Sequence, residues 1–322
     1  MREAQKQEIL DFINSLHQAH MEVKETLYRR DYDLAKKMLG ECQEFAISLG
    51  ENIERMEGKS HITVFWVEEY CKILFFCYEE ISGGQNNENK IYKSLKKQLL
   101  KIENSVKNDI HTVKEIVFFP YKASMWDSLE SVYLAAKEDP DCRVYCVPIP
   151  YYDLNVDHSF GRMHYEGRQY PDDVEVIDWQ SYSFEKRKPD VIYIHNPYDN
   201  CNHVTSVHPR YYSSNLRKYT DMLVYIPYFI LGEIEPDDQT SIDHIKHFIW
   251  TPGVIHSNKV IVQSEKMRQI YINEYLKSAS TSGLDGEHID RNYLEQKILG
   301  LGSPKVDKVL RIKKEDYLEM LK

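Results

Sequence analysis

The 322-residue chain contains no G-x-x-x-x-G-K-[ST], no G-x-G-x-x-G, no H-E-x-x-H and no G-x-S-x-G. Gly232, Gly253, Gly300 and Gly302 stand isolated rather than gathered at one turn. Phosphate cradles of the standard kinds, a zincin-type metal site and a hydrolase nucleophile elbow are thereby excluded. None of the 13 histidines falls at a metal-ligating spacing, so neither metal nor cofactor is expected. The six cysteines, Cys42, Cys71, Cys77, Cys142, Cys146 and Cys201, include no C-x-x-C pair. Cys142 and Cys146 share one face of a strand about 13 Å apart, too far for a disulfide. Buried reduced thiols follow, and with them a cytoplasmic compartment. The chain opens on polar Met1-Arg-Glu-Ala-Gln-Lys6, so no signal peptide is expected. The most apolar stretch, Ile62 to Ile81, carries Glu68, Glu69, Lys72, Glu79 and Glu80, which argues against a membrane span. An excess of positive charge is missing too. The net charge is −10 and the pI about 5.7, the wrong sign for a phosphate backbone, so no nucleic-acid partner is expected.

Apolar side chains are not scarce. They make up 42% of the residues, and 24 tyrosines add large amphipathic rings, enough for two domains. Residues 1–112 read as a helical bundle. Ile9, Phe12, Ile13, Leu16 and His20 recur at helical spacing, and Leu34 to Ile53 continue the pattern past Gly40. Ile62 to Ile81 is apolar nearly all round, as suits the central helix of a bundle. After the break Ser82-Gly-Gly-Gln-Asn-Asn87, Ile91, Leu95, Leu99, Ile102 and Val106 stripe a fourth helix. Its other face holds Lys90, Lys93, Lys96, Lys97, Lys101 and Lys107. Two readings stand for this basic helix, 90–107: a solvated surface, or a peripheral contact with anionic lipid at the inner face of the cell membrane.

From residue 113 the periodicity changes. Glu115-Ile-Val-Phe-Phe119 stops at Pro120-Tyr-Lys122. Asp190-Val-Ile-Tyr-Ile194 stops at His195-Asn-Pro-Tyr-Asp199. Leu223-Val-Tyr-Ile226 stops at Pro227-Tyr228, and Lys259-Val-Ile-Val262 at Gln263-Ser264. Runs so short and apolar read as parallel strands buried on both faces. The fold class is therefore α/β: an N-terminal helical bundle followed by a Rossmann-like parallel-sheet domain over 113–300, with 301–322 as a linker. Between the strands, Met125 to Lys137 reads as a helix with Ser124 as N-cap and Asp127 as its capping-box partner. Pro150 to Pro171 reads as a long loop, Pro209 to Tyr219 as a helix, 281–286 as a loop and Glu287 to Ile298 as the last helix.

In such sheets ligands bind beyond the carboxyl ends of the strands, so the polar stops nominate the site. Lys122 either meets an anion or is a surface lysine. His195, with Asn196 beside it, is either a general base near neutral pH or a histidine satisfied by backbone bonds. Asp199 could orient it. His164 in the long loop either covers a substrate or is ordinary surface. Tyr228 lines the cleft. Thr251-Pro-Gly253 either offers N–H groups or is a plain turn. Ser264 is an N-cap whose first-turn N–H groups could also face a phosphate.

Three segments look familiar together: Lys114-Glu-Ile-Val-Phe-Phe-Pro-Tyr-Lys-Ala-Ser-Met-Trp-Asp-Ser-Leu-Glu130, Val147-Pro-Ile-Pro-Tyr-Tyr-Asp153 and His195-Asn-Pro-Tyr-Asp199. With Leu301-Gly-Ser-Pro-Lys-Val-Asp-Lys-Val-Leu310 they resemble the CDP-glycerol glycerophosphotransferase family, the teichoic-acid primases and polymerases. The likeness covers residues 114 to 310, and residues 1 to 110 resemble an extension found in some relatives. It implies the acceptor-side half of a GT-B fold, with 301–310 joining the two halves. It also implies attack of an acceptor hydroxyl, on a polyol phosphate or a glycan, at the β-phosphorus of a CDP-alcohol with release of CMP. The family's donor-binding half, with its Arg-Pro-His-Pro element, has no counterpart in this sequence, so the donor is expected to bind only where such a half is supplied and this polypeptide alone to be inactive. The family's Trp-His-Gly base is also missing: this chain reads Tyr225-Ile-Pro-Tyr-Phe229 there. A binding or scaffolding protein that keeps the half-fold is the alternative.

Overall fold

A computed structural model describes residues 1–84, 87–282 and 290–311, with only the backbone over 278–282. The expected loop and helix residues at 283–289 and the linker residues 312–322 lie outside this set. The chain divides into two compact units, Met1–Val113 and the remainder from Lys114.

The first unit is a four-helix ring of α1 (Glu3–Tyr28), α2 (Tyr32–Glu57), α3 (Ile62–Ser82) and α4 (Glu88–Asn108). Each helix packs on the next and α4 closes on α1. Asp31 caps α2 through the Leu34 N–H, and Asn87 caps α4 through the Lys90 N–H. The apolar stripes meet in one core that includes Ile13, Leu39, Ile53, Leu74, Leu99 and Ile102. Within it His20 Nε2 lies 2.6 Å from the Tyr70 hydroxyl, and burial pushes the imidazole down to about 4. The expectation of a central α3 needs correction. One face is buried, but Phe65, Phe75, Phe76 and Tyr78 stand exposed, because four helices in a ring leave each one an outer side. The basic face of α4 is partly used inside the unit. Lys90 pairs with Glu80, Lys107 with Glu103, and Lys101 lies over the Trp66 ring. Among the described residues no helix is long and apolar enough to cross a membrane.

The second unit is α/β. Its elements are β1 (Lys114–Phe119), a 3-10 turn (Ala123–Ser128), α5 (Glu130–Glu138), β2 (Cys142–Cys146), β3 (Tyr151–Leu154), β4 (Phe160–His164), α6 (Phe184–Arg187) and β5 (Val191–Ile194). Then come β6 (Thr205–Val207), a 3-10 turn (Pro209–Tyr211), α7 (Ser213–Leu216), β7 (Met222–Tyr225), α8 (Gln239–Ile249), α9 (Pro252–His256) and β8 (Lys259–Val262). The described chain closes with α10 (Glu265–Ser282), α11 (Arg291–Lys297), β9 (Ile298–Gly300) and α12 (Pro304–Arg311). Six strands form an all-parallel sheet in the order β2-β1-β5-β7-β8-β9. Along β1, Val117 and Phe119 enter one core while Ile116 and Phe118 enter another, so both faces are covered as the apolar runs required. Beyond β2, Val176 bridges Cys146 in parallel and the Ile177 N–H donates to the Cys146 carbonyl. With that edge segment counted, the parallel elements follow the doubly wound order 3-2-1-4-5-6, extended by β9. At the amino end of the sheet, Glu115 is buried and takes a two-pronged bond from Arg187, at 2.7 Å to each oxygen, plus the Tyr182 hydroxyl at 2.9 Å.

Several segments differ from expectation: α10 runs through 281–282, expected as loop, and α11, expected as the last helix and to reach Ile298, stops at Lys297 and is followed by β9 and α12. The long loop after β2 holds the β3–β4 hairpin, and β6 joins it in a small antiparallel sheet, β4-β3-β6. The helix expected from Met125 is a 3-10 turn followed by α5, because Trp126 and Ser128 are drawn inward and buried. The helix expected over 209–219 shortens to a 3-10 turn and α7, with Tyr212 extended between them.

Candidate functional site

From β1 the chain runs outward to β2 and the Val176 edge, then returns to β5 on the other side of β1. This reversal opens a crevice outside the carboxyl ends of β1 and β5, the place where such sheets bind ligands. The residues that follow β1, β5, β7 and β8 lie along one rim, since these four strands are parallel neighbours. Lys122, His195, Tyr228 and Ser264 therefore share an edge, as the polar stops implied.

Their local roles diverge. His195 is 0% exposed. Its Nε2 accepts the Tyr121 N–H at 3.0 Å, so Nδ1 carries the proton and donates to Ser128 Oγ at 2.9 Å. Ser128 Oγ in turn donates to the Met125 carbonyl at 2.7 Å. Both ring nitrogens are spent, and burial pushes the imidazole down to about 3. The expectation that His195 acts as the base is corrected here: it is the histidine satisfied by internal bonds, and it locks the β1 turn to the 3-10 turn. Asp199 does not orient it. The Asp199 carboxylate accepts the Ser213 N–H and takes the Ser213 hydroxyl at 2.6 Å, closing the start of α7. Burial pushes this carboxyl up to about 6, while the bonds from Ser213 work against that rise. Asn196 is half-buried beside the crevice, and its side chain has no hydrogen-bond partner among the described residues. Gly253 N–H is taken by the Pro197 carbonyl at 2.8 Å, so that turn braces the β5 turn rather than facing a ligand.

Lys122 stands at the open part of the crevice. Its ammonium lies 5.4 Å from the Tyr121 ring centre and 5.1 Å from that of Tyr151, and it makes no ion pair among the described residues. Tyr121 is packed edge-on against Tyr151, His195 and Tyr228. Tyr228 packs into this wall against Tyr121 and His195. Its hydroxyl interacts with those of Tyr121 and Tyr198, and burial pushes the phenol up to about 12, so it is a neutral donor at physiological pH. His164 comes to the same place from the hairpin. Its ring stacks on Tyr151 at 5.0 Å, and Nε2 lies 2.8 Å from Asp153 Oδ2. Glu166 ties hairpin to rim: one oxygen accepts the Tyr151 hydroxyl at 2.6 Å, the other the Ala123 N–H at 2.8 Å.

Ser264 sits farther along, at β8. It caps α10 through the Met267 N–H, and its hydroxyl lies 2.7 and 2.9 Å from the Glu233 carboxylate oxygens. Gln263 clamps both backbone groups of Leu231, at 2.7 and 2.6 Å, so the segment after β7 is strapped across the β8 end. Beneath it lies a small apolar recess lined by Ile226, Phe229, Val262, Met267 and Tyr271. No cluster of three or more His, Cys, Asp or Glu with metal-binding geometry occurs among the described residues.

The structure thus brings together Lys122, His164 and Tyr228, and adds Tyr121, Tyr151, Asp153 and Glu166, which the strand-end rule passed over. No known family model and no curated protein matches this chain. Function therefore has to be argued from the rim itself. A signal for two of the added residues was present in the sequence. Tyr151 and Asp153 are spaced two apart, the repeat of a strand face.

Proposed function

We propose that the α/β unit is the acceptor-binding half of a transferase of the CDP-glycerol glycerophosphotransferase type, and that a polyol phosphate lies in the crevice beyond β1 and β5. One observation carries this reading. A lysine without an anionic partner projects at the topological switch point, ringed by aromatic faces, neutral phenols and a carboxylate. Lysine supplies the point charge a phosphate needs. Tyrosine hydroxyls and Glu166 offer donors and an acceptor for polyol hydroxyls, and the ring faces cover C–H surface. The order of the parallel elements suits a Rossmann-like half, and the resemblance of residues 114 to 310 supplies the reaction class. The donor, a CDP-alcohol, is assigned to a partner half and not to this unit.

The test is calorimetric titration of the full chain with sn-glycerol 3-phosphate and separately with CDP-glycerol. Glycerol phosphate should bind, and Lys122→Ala should weaken it about tenfold, the loss of roughly 1.4 kcal/mol. Undiminished binding by the variant, or no binding by the parent chain, rejects the assignment. The non-catalytic alternative draws support from His195, whose enclosure removes the base nominated first. It predicts acceptor binding without any transfer when a donor half is supplied.

A further inference from the structure

We infer that Asp153 and His164 form a proton-accepting dyad on the β3–β4 hairpin, in which His164 is the catalytic base for the acceptor hydroxyl and Asp153 its positioning residue. This deepens the acceptor reading above and rests on it. Tyr151 and Asp153 occupy one face of β3, two residues apart, and Tyr151 is directly paired with His164 of β4. From that cross-strand position the imidazole stacks on Tyr151 and reaches diagonally to Asp153, at 2.8 Å from Nε2. A carboxylate can only accept, so Nε2 carries the proton and Nδ1 of the neutral ring presents a lone pair. Nδ1 has no partner among the described residues, and the side chain is 29% exposed, open to a ligand.

Tyr151 is what makes this pair part of the site. The ring that His164 stacks on also lies under the Lys122 ammonium, 5.1 Å away, and its hydroxyl is held by Glu166. The Lys122 ammonium and the His164 ring lie 5.1 and 5.0 Å from the centre of the same Tyr151 ring, so a phosphate held by Lys122 leaves His164 about one ring away, within the span of a short polyol. Other described histidines lack this placement. His195 reaches Lys122 only through Tyr121 and is sealed. His208 uses Nδ1 to accept the Arg210 N–H, and His158 packs against His203 on the turn side of the small sheet. In the reaction, the acceptor oxygen forms a bond to the β-phosphorus of a nucleoside-diphosphate-activated alcohol. The bond from that phosphorus to the nucleoside monophosphate oxygen breaks, and its electron pair leaves with the nucleotide. The hydroxyl proton passes to His164 Nδ1, and the resulting imidazolium is stabilised by Asp153.

The experiment is nitrogen-15 NMR of the histidine rings in the full chain, with sn-glycerol 3-phosphate as the probe. The parent protein should show His164 with protonated Nε2 and bare Nδ1, and the Nδ1 resonance should move upfield as the probe is added, the signature of an accepted hydrogen bond. In Asp153→Asn the single tautomer should be lost while affinity for the probe stays within about threefold, less than 1 kcal/mol. Asp153→Glu should restore the tautomer. Binding that depends on Lys122 but leaves Nδ1 unmoved overturns the dyad and leaves the acceptor site standing. A proton on Nδ1 in the parent chain overturns the dyad as well. Absence of probe binding removes the acceptor site, and the dyad with it.

Discussion

If His195 is a structural lock rather than a catalyst, acid should reveal it. Its two bonds admit one tautomer only, because a second ring proton would face the Tyr121 N–H, donor against donor. Folded, the imidazole resists protonation down to about 3, against an ordinary value near 6.5. A base whose folded value is depressed contributes its stability above the unfolded value. That contribution drains away as pH falls toward the folded value, because the unfolded chain takes up a proton the folded chain refuses. At pH 4.5, two units below 6.5, the loss relative to pH 7 is about 2.6 kcal/mol at 1.36 kcal/mol per unit. His195→Gln keeps an acceptor for Tyr121 and a donor for Ser128 but has no proton to take up. Its own cost at pH 7 is about 1–2 kcal/mol from imperfect bonding and packing. Urea unfolding at pH 7.0 and 4.5, read on β1 and β5 by pulsed hydrogen-exchange mass spectrometry, checks this. Other titrating groups act alike in both proteins and cancel, so the parent's advantage at pH 7 should fall by about 2.6 kcal/mol, leaving the variant the more stable at pH 4.5. His20, driven to about 4 in the helical unit, should weaken α1 and α3 by about 2.5 kcal/mol in both proteins over the same span and serves as control. Parallel acid losses in β1 and β5 for parent and variant would refute the lock.

Asp199→Asn tests the second reassignment. A carboxyl raised to about 6 favours the fold below its unfolded value of 3.8, and that support is lost as pH rises through 6. The variant should therefore equal or exceed the parent in urea midpoint at pH 7.5 and lose that advantage below pH 5. Asparagine also tolerates the positive φ of 47° at this position. A large loss at pH 7.5 would point instead to a required negative charge. Gly300→Ala should destabilise the α/β unit by about 2–3 kcal/mol. An added Cβ would stand 2.7 Å from the Ser264 carbonyl oxygen and 2.9 Å from the Glu265 nitrogen, both backbone atoms that cannot swing aside. A urea midpoint within error of the parent's would show that β9 does not press on the β8–α10 turn as described.

The fold was legible where one physical constraint dominated a segment. β1, β5, β7 and β8 are buried on both faces, so nearly every residue in them is apolar, and such a run cannot be concealed. The helices of the first unit were legible through their stripes, yet a stripe says which residues face inward only when the rest are polar. α3 misled because Phe65, Phe75 and Phe76 are apolar and outside. The small sheet was missed for the opposite reason. β4 is exposed along most of its length, and its residues Phe160-Gly-Arg-Met-His164 carry no burial signal at all.

The site divides along the same line. That Lys122, His195, Tyr228 and Ser264 share a rim follows from parallel pairing alone, which short-range pattern can supply. Whether a strand-end side chain points outward to a ligand or inward to its own protein depends on partners brought in from elsewhere. His195 is turned inward by Tyr121 and Ser128, 74 and 67 positions away, and Ser264 is engaged by Glu233, 31 positions away. No local pattern encodes those meetings. His164 became informative by the converse route: its partner Asp153 is only 11 residues distant, across a hairpin turn. In a switch-point crevice, then, the strand-end residue nearest the sheet is the one most readily captured as structure, since buried N–H groups there demand an acceptor. The proposed dyad would place chemistry on the hairpin beside the crevice, where a polar side chain can be oriented by one neighbour and still face water.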